Sequence, residues 1–370
     1  MAISVHWFLP TGGDSRDVVA GPDDHSRREP GIDYLAQVAR AADLLGYDAV
    51  LTPTGTYCED AWLTTAALLR ETTRLEFLVA FRPGLLSPTL AAQMAGTYQR
   101  LSGGRLRLNV VTGAEPVELA RFGDHLSKEA RYERTGEFLE VLRGAWSGEP
   151  FDFQGEHYDV RGATTREVPD PLPPIYFGGA SPAAERIAAR WVDVYLAWGE
   201  TPSMVAERVE RMRSLAAVHG RTLRFGIRFH VITRDTADAA WAEAQRLLDG
   251  IPAEAVEAAR RDFASTQSVG QARMAELAHA GGDLEIHPNV WAGIGLVRGG
   301  AGTALVGSHA EVADRIAEYA ALGFDELILS GYPHLEEAYW FAEGVMPILR
   351  ARGLLAAPEP KPSGTYMTFR

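Results

Sequence analysis

One cysteine, Cys58, stands in 370 residues, so no intramolecular disulfide can form. No apolar run is long enough to span a bilayer, and no positively charged start leads into an apolar signal segment. These absences predict a reducing, cytoplasmic setting. Basic runs are missing too: 36 Lys and Arg against 49 Asp and Glu give a formal charge of −13, which repels nucleic acid and anionic lipid. The ten histidines show no zinc-ligand spacing, and no pair flanks a helical glutamate, so no metal site is expected. No GxGxxG opens a helix after an early strand, which argues against a doubly wound dinucleotide fold. No GxSxG nucleophile elbow occurs. Glycosidases need two facing acids at strand ends, and here only Glu200 stands at such a position.

What the chain has is a rhythm. With 46% hydrophobic residues it can bury a large core, and short β-branched or aromatic runs alternate with helix-period segments along it. Strands are predicted at 4–10, 49–52, 75–80, 106–111, 175–177, 194–197, 225–232 and 326–330. Helices are predicted at 32–45, 61–69, from Pro88, and at 132–144, 183–190, 204–218, 237–248 and 335–349. Eight strands, each with a helix after it, is the arithmetic of a (β/α)8 TIM barrel. The expected organisation is one barrel domain over 1–355, with insertions at about 145–173 and 250–307 and a Pro-rich tail at 356–370. The first insertion reads as a hairpin turning at Gln154-Gly155, and the second as a lid or binding loop containing Gly281-Gly282. Ala42–Asp48 and Tyr319–Asp325 share one junction wording: helix end, glycine stop, then an aromatic-Asp lead into the next strand.

Barrel sites sit at the carboxyl ends of strands. In RFGIRFHVI, alternation sends Phe225, Ile227, Phe229 and Val231 to the helices and Arg228 with His230 into the barrel mouth. A guanidinium there needs an acidic neighbour or an anionic ligand. Tyr332 can donate a hydrogen bond or merely cap the core, while Pro333 is expected to carry His334 toward the following helix. Trp198 offers a flat apolar wall, or plain core. Asp60 or Glu59 can cap the next helix, and Cys58 reads as a small buried side chain close to the site. Gly178 and Gly179, followed by Ser181 at a helix start, make a phosphate seat. Asn109 and Thr112 add polar groups, and Arg298 reaches the site only if its Gly-flanked loop closes.

The segments WFLPTGGD, PTGTYCEDAW, LVAFRPG, NVVTG, YFGGAS, AWGETP, FGIRFHVI, NVWAGIGLVRGGAGTALVG and LSGYPHLEEA together resemble the reduced-flavin-dependent alkanesulfonate monooxygenases, in the bacterial luciferase-like superfamily. The resemblance runs in order from the first strand to about Leu349. It implies a barrel that takes reduced FMN from a separate NAD(P)H-dependent FMN reductase. Oxygen adds to the flavin, and the peroxyflavin attacks a sulfonate, breaking the C–S bond to leave an aldehyde and sulfite. The resemblance also implies roles. Arg228 and Arg298 hold the sulfonate and the oxygenated flavin, His230 orients or transfers protons, Trp198 walls the site, Tyr332 hydrogen-bonds the intermediate and Cys58 lies near the flavin. Asn109, Tyr132, Gly178, Gly179 and Ser181 would hold the FMN ring or phosphate, in a homodimer or homotetramer. Two departures stand out: Gly12 where the family often has histidine, and Phe81 where it has leucine, a ring expected to shorten the substrate pocket. Competing readings are a sibling monooxygenase for methanesulfonate or a sulfone, a deazaflavin-dependent dehydrogenase, and a non-catalytic flavin-binding protein.

Overall fold

Eight of the strands pair side by side, all parallel, in a computed structural model that describes residues 2–21, 24–279 and 282–356. They are β1 (Ser4–Phe8), β2 (Ala49–Thr52), β3 (Glu76–Phe81), β4 (Leu106–Val110), β5 (Ile175–Gly178), β6 (Val194–Trp198), β7 (Arg224–Arg234) and β8 (Glu326–Ser330). Each pairs with its neighbour in sequence, and β8 returns to β1 through Ser4–Glu326, Val5–Leu327 and His6–Ile328, closing the barrel. A helix follows each strand, as a (β/α)8 TIM barrel requires. These are the eight segments predicted from periodicity. The helices differ at their ends: Ser127 caps a helix from Lys128 rather than Tyr132, and the last one is broken by a π turn over Phe341–Val345.

The repeated junction has a physical basis. Gly46 and Gly323 take φ of 90° and 101°, where a side chain would be strained. The aspartates that follow clamp the neighbouring strand. Asp48 accepts from the Val5 amide at 2.7 Å, and Asp325 from the Phe225 amide at 3.2 Å. Asp193, ahead of β6, does the same for Ile175 at 2.9 Å. Each thus pins the start of an odd strand to the loop entering the next even one.

The sheet's outer face packs against the helices through Phe225, Ile227, Phe229 and Val231 of β7 and matching residues elsewhere. Its inner face is polar at the amino end. There Glu326 accepts from Tyr176 at 2.7 Å and from Arg224 at 2.6 Å, and contacts His6 Nε2 at 3.0 Å. Arg107 lies 3.5 Å away. This network had no signature in the sequence.

The insertions are folded. Phe151–Gln154 and Asp159–Ala163 form the expected hairpin, closed by Gly155 N–H donating to the Tyr158 carbonyl at 2.8 Å. The second insertion, expected to be a lid or binding loop with helix-like stretches, holds helices at Ala253–Ala264 and Val269–His279 and a small antiparallel sheet. Its strand Ala304–Ser308 pairs in parallel with His230–Arg234. The reason lies in β7: it outruns β6, whose pairing stops at Arg228, and the open edge must find a partner. Gly281, and the tail beyond Ala356, lie outside the described residues. No helix among the described residues is long and apolar enough to cross a membrane.

Candidate active site

Arg228 projects inward from β7, with its guanidinium carbon 4.6 Å from the centre of the Phe8 ring at the end of β1. Its Nε and Nη2 are buried and have no hydrogen-bond partner. Burial, together with the charge of Arg298, pushes its pKa down to about 9. Arg298 comes from the second insertion, and its guanidinium carbon lies 5.8 Å from the same ring. Two like charges beside one aromatic ring cost free energy unless an anion joins them.

His230, two residues on, is fully buried. Its Nδ1 lies 3.0 Å from the Ser330 hydroxyl, and its ring stacks on Tyr332 at 5.4 Å and 12°. Nε2 is buried without a partner. Burial, then the charges of Arg298 and Arg228, hold this imidazole well below its usual pKa, so it is neutral at pH 7. His334 departs from expectation: it opens the last helix, yet is buried and packs edge-on to Tyr332 at 5.5 Å. Its Nδ1 lies 2.8 Å from Asp14, and its backbone N–H donates to the same carboxylate at 2.9 Å. Asp14, in the loop after β1, closes the WFLPTGGD segment but had no role assigned to it from the sequence.

A cavity of about 210 Å³ opens beside this cluster, lined by Asn109, Thr112, Tyr132, Gly178, Gly179 and Trp198 and reaching Arg228. The glycines form a bare cradle. A Cβ on Gly178 would meet the Leu196 carbonyl oxygen at 3.0 Å, and one on Gly179 would lie 2.6 Å from Ala184 Cβ. Ser181 spends its hydroxyl as the helix N-cap, accepting from the Ala184 amide at 3.3 Å, and so starts the helix directly after the cradle. Lys128 and Arg131 also line the cavity and add positive charge; both were missed because the helix was predicted to begin at Tyr132. The signal available was Ser127, a favoured N-cap residue.

Glu200 lines the cavity but is neutralised by Arg208, with contacts of 2.8 and 2.6 Å. It is therefore no free general acid. Cys58 is half-buried and points its thiol at the Pro53 and Gly55 carbonyls, at 3.7 and 3.5 Å. Burial raises its pKa, which removes thiolate reactivity. Asp60 is the cap of the next helix, accepting from Leu63 at 2.8 Å. Phe81 does not shorten the pocket. Its ring packs between Trp62 and Phe138, each 5.8 Å away, because alternation along β3 turns it to the helices.

The second insertion is already stitched over the cavity. Arg131 donates to Gln267 at 2.7 Å, Thr266 donates to Glu115 at 2.7 Å, and Gly270 lies against the Trp198 ring. Arg298 therefore stands in the site with the insertion in place.

A family model for luciferase-like monooxygenases matches residues 3–326, and the chain belongs to that family. Among solved structures it is similar to a riboflavin lyase with modified FMN and its substrate riboflavin (20% identity, 98% of this chain and 94% of that one, TM-score 0.81). It is similar to an EDTA monooxygenase from Chelativorans sp. BNC1 (21% identity, 96% and 95%, TM-score 0.77). An F420-dependent secondary alcohol dehydrogenase in complex with an F420–acetone adduct is also similar (18% identity, 95% and 100%, TM-score 0.69). At these identities the structural likeness speaks to the fold.

Proposed function

We propose that this luciferase-like monooxygenase is the oxygenase of a two-component system acting on alkanesulfonates. Reduced FMN comes from a separate NAD(P)H-dependent FMN reductase, and with O2 the C–S bond is cleaved to give an aldehyde and sulfite. The observation that carries this reading is Arg228: a partly buried cation whose Nε and Nη2 have no partner, beside a second arginine and over an apolar ring. A sulfonate supplies the missing negative charge and several acceptor oxygens, while its alkyl chain suits apolar walls. A neutral sulfone or a secondary alcohol would leave both arginines uncompensated.

The residues present fit a flavin phosphate and ring. The Gly178–Gly179 cradle, the helix start after Ser181, and Lys128 suit a phosphate, while Asn109 and Tyr132 face the same cavity. Bound there, reduced FMN supplies the electrons that activate oxygen. The protein's own share is positional. Arg228 and Arg298 fix the sulfonate, Trp198 walls the cavity, and Tyr332 and neutral His230 offer hydrogen bonds beside the anion. Cys58 acts as a weakly polar neighbour and forms no covalent bond. The stitched insertion would exclude water from a cofactor held there.

The test is sulfite release in a mixture of FMN reductase, NADH, O2 and sulfonates from methyl to decyl. Sulfite that requires both proteins is expected. Tight reduced-flavin binding without sulfite from any member would shift the substrate to another organosulfur compound. Hydride transfer to a deazaflavin in the absence of O2 would replace the reading altogether.

A further inference from the structure

Cleaving an alkanesulfonate, which rests on the function proposed above, leaves one proton to place. RCH2SO3⁻ + FMNH2 + O2 gives RCHO + SO3²⁻ + FMN + H2O + H⁺; atoms and charge balance only with that proton, which leaves the carbon that bore sulfur. A group in the site must take it, and two buried imidazoles stand there.

His230 is poorly suited. It is fully buried, its only side-chain partner is the Ser330 hydroxyl, and Arg228 and Arg298 face it. A proton on this ring would be a third positive charge in one dry pocket. His334 differs in one respect: a carboxylate holds it. Asp14 is buried, receives the His334 backbone N–H at 2.9 Å, and lies 2.8 Å from Nδ1. It also accepts from the Tyr34 hydroxyl and, at 3.0 Å, from the Ser15 amide, and Arg28 lies 3.9 Å away. Burial alone would raise the Asp14 pKa, but His334 and Tyr34 together hold it below the ordinary carboxylate range. Asp14 is therefore an anion at neutral pH, and an anion can only accept. Nδ1 must carry the hydrogen, and in the neutral ring the lone pair then lies on Nε2. Nε2 is buried and has no partner. Its ring lies 5.3 Å from Phe8 and 5.5 Å from Tyr332, and these two rings also touch Arg228, Arg298 and His230.

We propose that His334, oriented by Asp14, takes the proton released from the sulfonate's carbon. Nε2 forms the new N–H bond as the C–H bond breaks and its electron pair becomes part of the aldehyde C=O. The imidazolium so formed sits against the Asp14 carboxylate, as a buried charge requires. The proton leaves with product when the site opens to water. Asp14 is a positioning residue; His334 is the catalytic one. The charged and titratable groups around the pair are Arg28, 3.9 Å from Asp14, Tyr34 from the first helix, Arg228 and His230 from β7, Arg298 from the insertion, and Tyr332 from the loop after β8. Glu336 and Glu337 of its own helix are engaged by Arg28 and Arg234.

The experiment compares wild type with Asp14→Asn, His334→Asn and Tyr34→Phe in the coupled sulfite assay from pH 6 to 10, with reduced-FMN affinity measured separately by anaerobic titration. Asp14→Asn and His334→Asn are expected to lower kcat about a hundredfold or more, with reduced-FMN affinity unchanged. Both should lose the pH-independent plateau and show turnover that rises with hydroxide. Tyr34→Phe, which removes one half-buried hydroxyl and tests the idea if Asp14→Asn does not fold, should fall about tenfold. By NMR at neutral pH, a downfield Nδ1–H proton resonance is expected in wild type and absent in Asp14→Asn. Turnover within threefold of wild type with a superimposable pH profile would overturn the proposal, as would an equal loss of flavin affinity. If wild type releases no sulfite from any sulfonate, the substrate reading fails by itself. The Nδ1–H resonance then decides the dyad: its persistence in Asp14→Asn overturns it.

Discussion

Arg228 and Arg298 stand over the same phenyl ring, their guanidinium carbons 4.6 and 5.8 Å from the centre of Phe8, although 70 positions separate them in the chain. Phe8 gives both an apolar, weakly attractive face and no counter-ion. The site is thus built around a missing negative charge.

Removing Arg228 separates binding from stability. Arg228→Met should abolish sulfite release, a loss of about a hundredfold to a thousandfold or more, with the fold intact. Without anions its thermal midpoint should rise, because a partly buried cation with two unpartnered nitrogens has gone. A sulfonate should raise the midpoint of wild type and leave that of the variant unchanged. Near-normal turnover would end the assignment.

The cradle makes a sharper demand on the cofactor. Gly179→Ala places a methyl 2.6 Å from Ala184 Cβ, at a φ of 156° that L side chains rarely adopt. Reduced-FMN affinity, read by anaerobic fluorescence titration, should fall at least about tenfold, or ~1.4 kcal/mol. A variant that binds flavin normally would move the phosphate seat elsewhere.

At the other end of the barrel, Glu326 predicts acid sensitivity. Burial raises this carboxyl, but the hydrogen bond and charge of His6 and the charges of Arg107 and Arg224 outweigh it and hold the pKa down to about 2, against a reference value of 4.5. The unfolded chain takes up the proton first. The stabilisation is therefore complete above about pH 4.5 and is lost as pH falls toward 2; it is on the order of 3 kcal/mol. Urea midpoints measured from pH 7 down to 3 should show this loss in wild type. Glu326→Gln should be destabilised at pH 7 and flatter over the same range.

Phe81→Leu tests where that ring lies. The substitution should lower stability by about 1 kcal/mol, since the ring packs between Trp62 and Phe138. The preferred chain length of the sulfonate should stay the same. A shift toward longer chains would place the ring in the pocket.

How much was legible depends on how local the cause is. Period-two alternation placed Arg228 and His230 on the inner face, and two glycines before a helix start marked a bare stretch of backbone; both are effects within a few residues. Periodicity also found all eight strands, because each must bury apolar side chains at the spacing its backbone sets. Lys128 and Arg131 were lost to a misplaced helix start, an error of four residues. Asp14 and its tie to His334 were out of reach in principle, since 320 residues separate them and no local pattern encodes the pairing. The Glu326 network, drawn from five strands, is of the same kind.

By itself, then, the sequence determined the barrel, the inward direction of Arg228 and His230, and the bare backbone at Gly178 and Gly179. Only tertiary structure decided that Arg228 has no acid to pair with, that Arg298 joins it over Phe8, and that the second insertion is a folded layer. The physical reason is that chain geometry repeats over two to four residues, whereas charge compensation and burial are properties of whatever the closed barrel brings within a few ångströms.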